Sequence, residues 1–244
     1  MMKNVIVLAR REFNAFFDSL IAYILLVVFL GISGFFTWLY GSDIFFSGQA
    51  SLQPFFSLAY WLLFFFIPAL TMKMIAEEKK TGTIELLLTK SVTDWEVILG
   101  KFFATLLLIV IALAFTLPYY ITVWSIGPID QGSVWCGYLG MIFMSMALIS
   151  IGLFASSITN NQIVSFLLSL FIGVFFIIIF DVLANSFTGS IGEIFSYLNL
   201  STHYDSISRG VVDSKDIIYF LSVTFLGLVL CESVLSKRNI IDAA

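Results

Sequence analysis

The chain has 244 residues, of which 60% are hydrophobic and 11% charged, with a formal charge of −4. A water-soluble domain carries roughly 25% charged and 45–50% apolar residues. That gap excludes a soluble enzyme, a secreted disulfide scaffold, a disordered chain and a nucleic-acid binder; the sequence is built for lipid.

Residues Lys3–Ser19 open the chain at helical spacing. Val5, Ala9, Phe13, Phe16, Phe17 and Leu20 gather on one side, and Lys3, Arg10, Arg11, Asn14 and Asp18 on the other. A basic amphipathic helix of this kind lies flat on a membrane surface. Arg10, Arg11 and Phe13 then belong to an anchor, to a surface that receives a cytoplasmic partner, or to both. Charge-free runs follow at Leu20–Tyr40, Leu52–Met72, Phe102–Ile126, Val134–Ser156 and Ile163–Phe180. Crossing a hydrocarbon core of about 30 Å takes roughly 20 apolar residues, so each run reads as a span. A sixth, Ile217–Cys231, reaches spanning length by carrying Glu232 on to Leu235. No cleavable signal peptide is expected, because the first twenty residues are charged and the first apolar run is full length.

Lys and Arg set the orientation. With the N-terminus inside, Lys3, Arg10, Arg11, Lys73, Lys79, Lys80, Lys90, Lys101, Lys237 and Arg238 are cytoplasmic, and only Arg209 and Lys215 are external. Six spans bring both termini to the cytoplasmic side. Trp38, Trp124 and Trp135 then fall at the outer interface, as an aromatic belt does. Cys136 and Cys231 lie at opposite depths, which excludes a disulfide between them.

Four segments lie outside the bilayer: the N-terminal helix, two loops and an external stretch. In the loop from Lys73 to Lys101, Gly82 breaks the helix leaving span two, and Thr83 caps a short amphipathic helix with Ile84, Leu87 and Leu88 on one stripe. Thr93-Asp94-Trp95-Glu96 reads as a capping box that opens span three. Leu86, Leu87 and Leu88 must dock on the membrane, the N-terminal helix or a partner protein. Ser157–Gln162 closes a hairpin. In the external segment Asn185–Asp216, Ile191, Ile194, Phe195 and Leu198 follow i, i+3, i+4, i+7 spacing, the pattern of an interfacial helix.

Chemistry-bearing motifs are missing. The only Gly-Lys pair, Gly100-Lys101, lacks the upstream glycine of a phosphate cradle, and no H-E-x-x-H or G-x-S-x-G occurs. His203 with Asp205 supplies too few ligands for a metal. Asp181, Glu232 and Lys73 sit at span ends, where snorkelling explains them. No catalytic residue, metal or bound cofactor is expected. Pro68 and Pro118 should kink their helices. Ser165, Ser169 and Gly173 repeat every four residues, a seam that admits another helix closely.

The loop Ala76-Glu-Glu-Lys-Lys-Thr-Gly-Thr-Ile-Glu-Leu-Leu-Leu88, placed right after span two, resembles the corresponding loop of ABC-2-type transporter permeases. The amphipathic start Arg10-Arg-Glu-Phe13, the six-span layout and the Ser201–Gly210 region with Asp216 before span six resemble the same family. The gliding-motility permeases of that family are the most similar in appearance, and the copper-processing permeases of the nitrous-oxide reductase system come next. The resemblance implies an all-α membrane protein forming the transmembrane half of an exporter of the cytoplasmic (inner) membrane. It implies two permease subunits, in a homo- or heterodimer, above two cytoplasmic ABC ATPase subunits that bind the ATP and magnesium. It implies a single transmembrane domain, 1–244, with an interfacial helix at 1–19, spans at 20–40, 52–76, 97–126, 134–156, 163–184 and 216–235, a coupling loop at 77–96 and external re-entrant helices at 185–215. The coupling residues would be Glu77, Glu78, Gly82, Thr83, Glu85, Leu86 and Leu87. The dimer seam, on spans one and five, would use Ser165, Ser169 and Gly173. Ser91 and Val92 depart from the family pattern, standing where many members have a proline. Two other readings compete: a non-transporting membrane scaffold for a secretion or motility machine, and an intramembrane protein working without an ATPase, which would need polar or ionisable residues at mid-depth where this sequence has almost none.

Overall fold

Backbone polar groups in hydrocarbon have no water to bond, so a spanning segment must satisfy its own N–H and C=O groups. The computed structural model describes residues 2–40, 50–83 and 92–241, with side chains to residue 237; these residues are helical throughout, with short connections and no strand. Among the described residues six helices are long and apolar enough to cross a membrane: Ile21–Trp38, Gln53–Thr81, Asp94–Ile126, Gln131–Ile158, Gln162–Ser186 and Ser214–Lys237. The chain is an all-α, multi-pass membrane protein.

Helix α1 (Met2–Asp18) meets α2 (Ile21–Trp38) at Leu20, which is exposed and has φ of 60°. A left-handed leucine is strained, and no glycine or proline marks this elbow in the sequence. Helix α3 (Gln53–Thr71) carries Pro54 in its first turn, where a missing N–H costs nothing, and keeps Pro68 inside. A turn at 72–75 then leads into α4 (Ala76–Thr81), which Gly82 closes with φ of 69°. Span three is two helices, α5 (Asp94–Ala114) and α6 (Leu117–Ile126), divided just before Pro118. At the break the buried Thr116 hydroxyl donates to the Leu113 carbonyl (2.6 Å) and meets the Tyr138 hydroxyl (3.0 Å).

Helix α7 (Gln131–Ile158) is the hub. It packs against α3, α5, α8 (Gln162–Val174), α11 (Leu200–Ser208) and α12 (Ser214–Ile241). Glycine sets how closely it approaches α3: a Cβ on Gly152 would lie 2.1 Å from Thr71 Oγ1. The core around it is formed by Phe55, Phe56 and Phe64 of α3, Ile98 and Leu108 of α5, Met141, Met144 and Leu148 of α7, and Phe220 of α12. Span five continues from α8 through a π-helical turn, Phe175–Ile179, into α9 (Phe180–Ser186). The segment read as external forms α10 (Ser190–Leu198) and α11, and the apolar side chains Ile191, Ile194 and Leu198 of α10 point outward. Helix α12 extends beyond the 216–235 expected of span six at both ends. Cys136 and Cys231 are both free thiols.

Candidate functional site

The polar side chains of α1, α4 and α5 converge at one end of the bundle. The capping box is present: the Thr93 hydroxyl accepts the Glu96 N–H (3.3 Å), and the Glu96 carboxylate accepts the Thr93 N–H (3.1 Å). The same carboxylate accepts from the Asn4 amide at 3.2 and 3.3 Å, which ties the start of span three to α1. One turn further, Gly100 leaves room for α1, since a Cβ there would lie 2.7 Å from Leu8 Cβ.

Lys101 lies next to that contact, with its side chain 1% exposed. A buried ammonium is costly unless paired, and two carboxylates meet it. Its Nζ lies 2.7 Å from Glu78 Oε1 of α4 and 3.4 Å from Glu12 Oε1 of α1. Arg11 donates to Glu12 and stands 3.7 Å from Glu78. Burial raises the Glu12 pKa, but the neighbouring Lys101 and Arg11 outweigh it, and its carboxyl is held below the usual carboxylate range. The second oxygen of Glu78 is buried with no hydrogen-bond partner among the described residues. A cavity of about 300 Å³ adjoins the cluster, lined in part by Glu77, Glu78, Thr83 and Lys101.

Helix α4 is held from its other side by α7. The Ser156 hydroxyl accepts the N–H groups of Ile75 (3.1 Å) and Ala76 (3.0 Å) and donates to the Met72 carbonyl (3.1 Å). Lys79 donates to the Ser157 carbonyl. Ser156 therefore caps a helix about eighty residues away, which no local motif announces. Helix α4 is thus joined to α5 through Glu78 and to α7 through Lys79 and Ser156.

Of the residues assigned to coupling, Glu77, Glu78, Gly82 and Thr83 lie on this platform; Glu85, Leu86 and Leu87 lie outside the described residues. Thr83 turns its hydroxyl back onto the Glu78 carbonyl at 3.4 Å. Arg11 joins the cluster, Phe13 packs against the core, and Arg10 stays outside it. Sequence reasoning missed Lys101 and Glu12: Lys101 only preceded the charge-free run of span three, and Glu12 was one charge among several on the amphipathic α1.

Ser165, Ser169 and Gly173 do not form an outward seam. All three are buried within the protomer, and a Cβ on Gly173 would meet Phe64 of α3 at 2.7 Å. Small residues permit close approach to whichever helix is adjacent, and here α3 and α7 are the neighbours of α8. The outward face of α8 is instead apolar, with Ile163, Leu167 and Phe171 more than half exposed.

At the opposite end, His203 pairs with Asp216 of α12 rather than with Asp205. Its Nδ1 lies 2.7 Å from Asp216 Oδ1, its Nε2 lies 3.0 Å from the Tyr197 carbonyl, and its ring stacks on Tyr219 with centroids 4.0 Å apart. The Tyr197 carbonyl can only accept, so the Nε2 contact is a donation from the ring. Burial raises the Asp205 pKa, Arg209 partly offsets this, and Asp181 adds to the rise. Among the described residues no group of three or more His, Cys, Asp and Glu could hold a metal.

The family described as "ABC-2 family transporter protein" matches residues 39–237. The "Probable multidrug ABC transporter permease YbhR" of Escherichia coli K12 is 25% identical over 143 residues, which cover 56% of this chain and 37% of that protein. The same permease from Escherichia coli O157:H7 matches equally. The matched stretch thus spans little more than a third of the length of these curated relatives.

Proposed function

The chain belongs to the ABC-2 transporter family, whose members are membrane subunits and not themselves the ATPase, and from that premise we propose that it is a permease driven by a separate cytoplasmic ABC ATPase gripping the α1–α4–α5 platform. One observation carries this reading. The elements that the sequence resemblance places next to the motor converge on a single buried ammonium, Lys101. A displacement of α4 is therefore passed to two deeply packed spans and is not absorbed in a loop. ATP binding and hydrolysis in the partner would favour two arrangements of the spans by differential contacts.

Two ATPase copies and a second permease subunit complete the proposed assembly in the inner membrane, with both termini cytoplasmic. The second permease is assigned to the outward faces of α2 and α8. Ile24 and Val27 on α2, like Ile163 and Leu167 on α8, are left uncovered by the protomer. Work in gliding motility is the finer assignment, and it rests on the resemblance of the Ala76–Leu88 loop and the Arg10–Phe13 start. The Escherichia coli relatives are described as multidrug permeases, so drug export is the comparison to make in the same cells.

Cysteine cross-linking tests the docking: Thr83→Cys in native membranes should capture an ABC ATPase subunit, and Thr188→Cys, at the other end of the molecule, should not. A permease that purifies intact with no ATPase, and cross-links none, would overturn the reading. Deleting the permease should abolish surface spreading and leave drug resistance unchanged; the reverse result refutes the motility assignment alone.

A further inference from the structure

Helix α1 carries two cationic side chains that the platform does not use. Arg11 is engaged by Glu12 and Glu78. Arg10 and Lys3 are exposed and have no acidic partner among the described residues. They lie seven residues apart, two helical turns, on one face of α1.

Beside Arg10 a groove of about 630 Å³ opens between α1 and α5. Its walls include Met2, Ile6 and Phe13 from α1 and Leu99, Phe103 and Leu107 from α5, and Arg10 is the one charged side chain lining it. The volume falls in the range of small-ligand pockets, roughly 300–1,000 Å³. Leu99, Phe103 and Leu107 stand at i, i+4 and i+8, a stripe about 12 Å long at the rise of an α-helix. That stripe begins one turn past Glu96 and continues into the charge-free stretch that starts at Phe102, so the groove reaches from the polar end of span three toward the bilayer. Phe103 and Leu107 are each 47% exposed along it.

The shape and the charge specify an amphiphile: hydrocarbon in a concave slot, an anion at its mouth. We propose that this groove holds one acyl chain of an anionic phospholipid whose phosphate is bound by Arg10 and Lys3. A zwitterionic lipid would bring a second positive group against two unneutralised cations, whereas a phosphatidylglycerol headgroup would not. The lipid thereby fills the groove between α1 and α5. This inference rests on the chain being membrane-embedded and not on the ATPase reading.

The test uses full-length protein in mixed micelles of phosphatidylglycerol or phosphatidylcholine, with bound lipid counted by native mass spectrometry. No nucleotide or partner is present, so the result is separable from the motor hypothesis. One phosphatidylglycerol should be retained per protomer, preferred over phosphatidylcholine by roughly twentyfold, and Arg10→Gln should cut that preference about fivefold, the effect of one basic side chain near an anionic surface. Ala9→Phe, which fills the slot, should remove retained lipid of both kinds. Arg10 is exposed, so its variant keeps the fold and the test survives if Ala9→Phe does not express. Equal retention of the two lipids by the wild type, or an undiminished preference in Arg10→Gln, would overturn the proposal. So would a structure of the assembled complex in lipid with a protein segment, from a second copy or the motor, seated in the groove.

Discussion

The two ends of the bundle handle buried charge differently. On the α1–α4–α5 platform, Lys101 shares two carboxylates, and one of them, Glu78, also faces Arg11. At the α11–α12 end His203 and Asp216 pair directly, with the His203 ring stacked on Tyr219, beside a cavity that Glu193, Arg209 and Lys215 also line. A network with alternative partners can change its pairing without stranding a charge in the dark; an isolated buried pair cannot. Under the proposed function, the platform, where Lys101 has two carboxylates within 3.4 Å, is the end expected to change its pairing.

The sharpest way to break the comparison is Asp216→Ala. It leaves the buried His203 without its carboxylate and should cost about 3–5 kcal/mol, the usual penalty for halving a buried pair. Thermal unfolding in lipid nanodiscs reads this loss directly. Glu78→Gln should cost less, roughly 1–3 kcal/mol, because Glu12 remains beside Lys101. If Glu78→Gln proves as damaging as Asp216→Ala, the redundancy of the platform is refuted. Thr93→Ala removes one half of the capping box and should cost about 1 kcal/mol. Hydrogen exchange should quicken at the N-terminus of α5 and, through the Asn4–Glu96 contact, along the first turns of α1.

Acid should separate the two ends by sign, with the smallest effect of the set. The Glu12 pKa is lowered in the folded protein, so its stabilisation is present above the ordinary carboxylate range and is lost as pH falls through the depressed value. The Asp205 pKa is raised, so its contribution has the opposite sign: stability is greatest where it is protonated and declines as pH rises through the folded value. Local hydrogen exchange between about pH 6 and pH 3.5 should show α1 loosening and α11 tightening. Equal responses at both ends would refute the assignment.

Much of the architecture was legible in the linear order of residues. Charge-free runs marked the helices that span, because an uncompensated charge in hydrocarbon is expensive. Thr93 and Glu96 announced the start of span three, because a capping box is local chemistry three residues apart. Pro118 announced the division between α5 and α6, because it has no N–H to give. The candidate site was legible only in part. Glu78 stood out in a charged loop, but nothing local connected it with Glu12 and Lys101. The left-handed Leu20 carried no glycine signal.

Ser165, Ser169 and Gly173 show where such reading stops. In water, a polar face points out and an apolar face points in, so periodicity orients a helix. In lipid both faces of α8 are apolar enough to be buried or to face acyl chains, and small residues record only that some helix comes close. By itself the amino-acid order determined which segments cross, where the helices are capped and where proline divides them, since each of these is governed by contacts within one helix or by the cost of charge in hydrocarbon. Packing alone decided that the small-residue stripe turns toward Phe64, that Ser156 caps α4 and that three separate segments surround Lys101, because these contacts join residues far apart in the chain and are selected by shape and partner geometry, for which no short pattern exists.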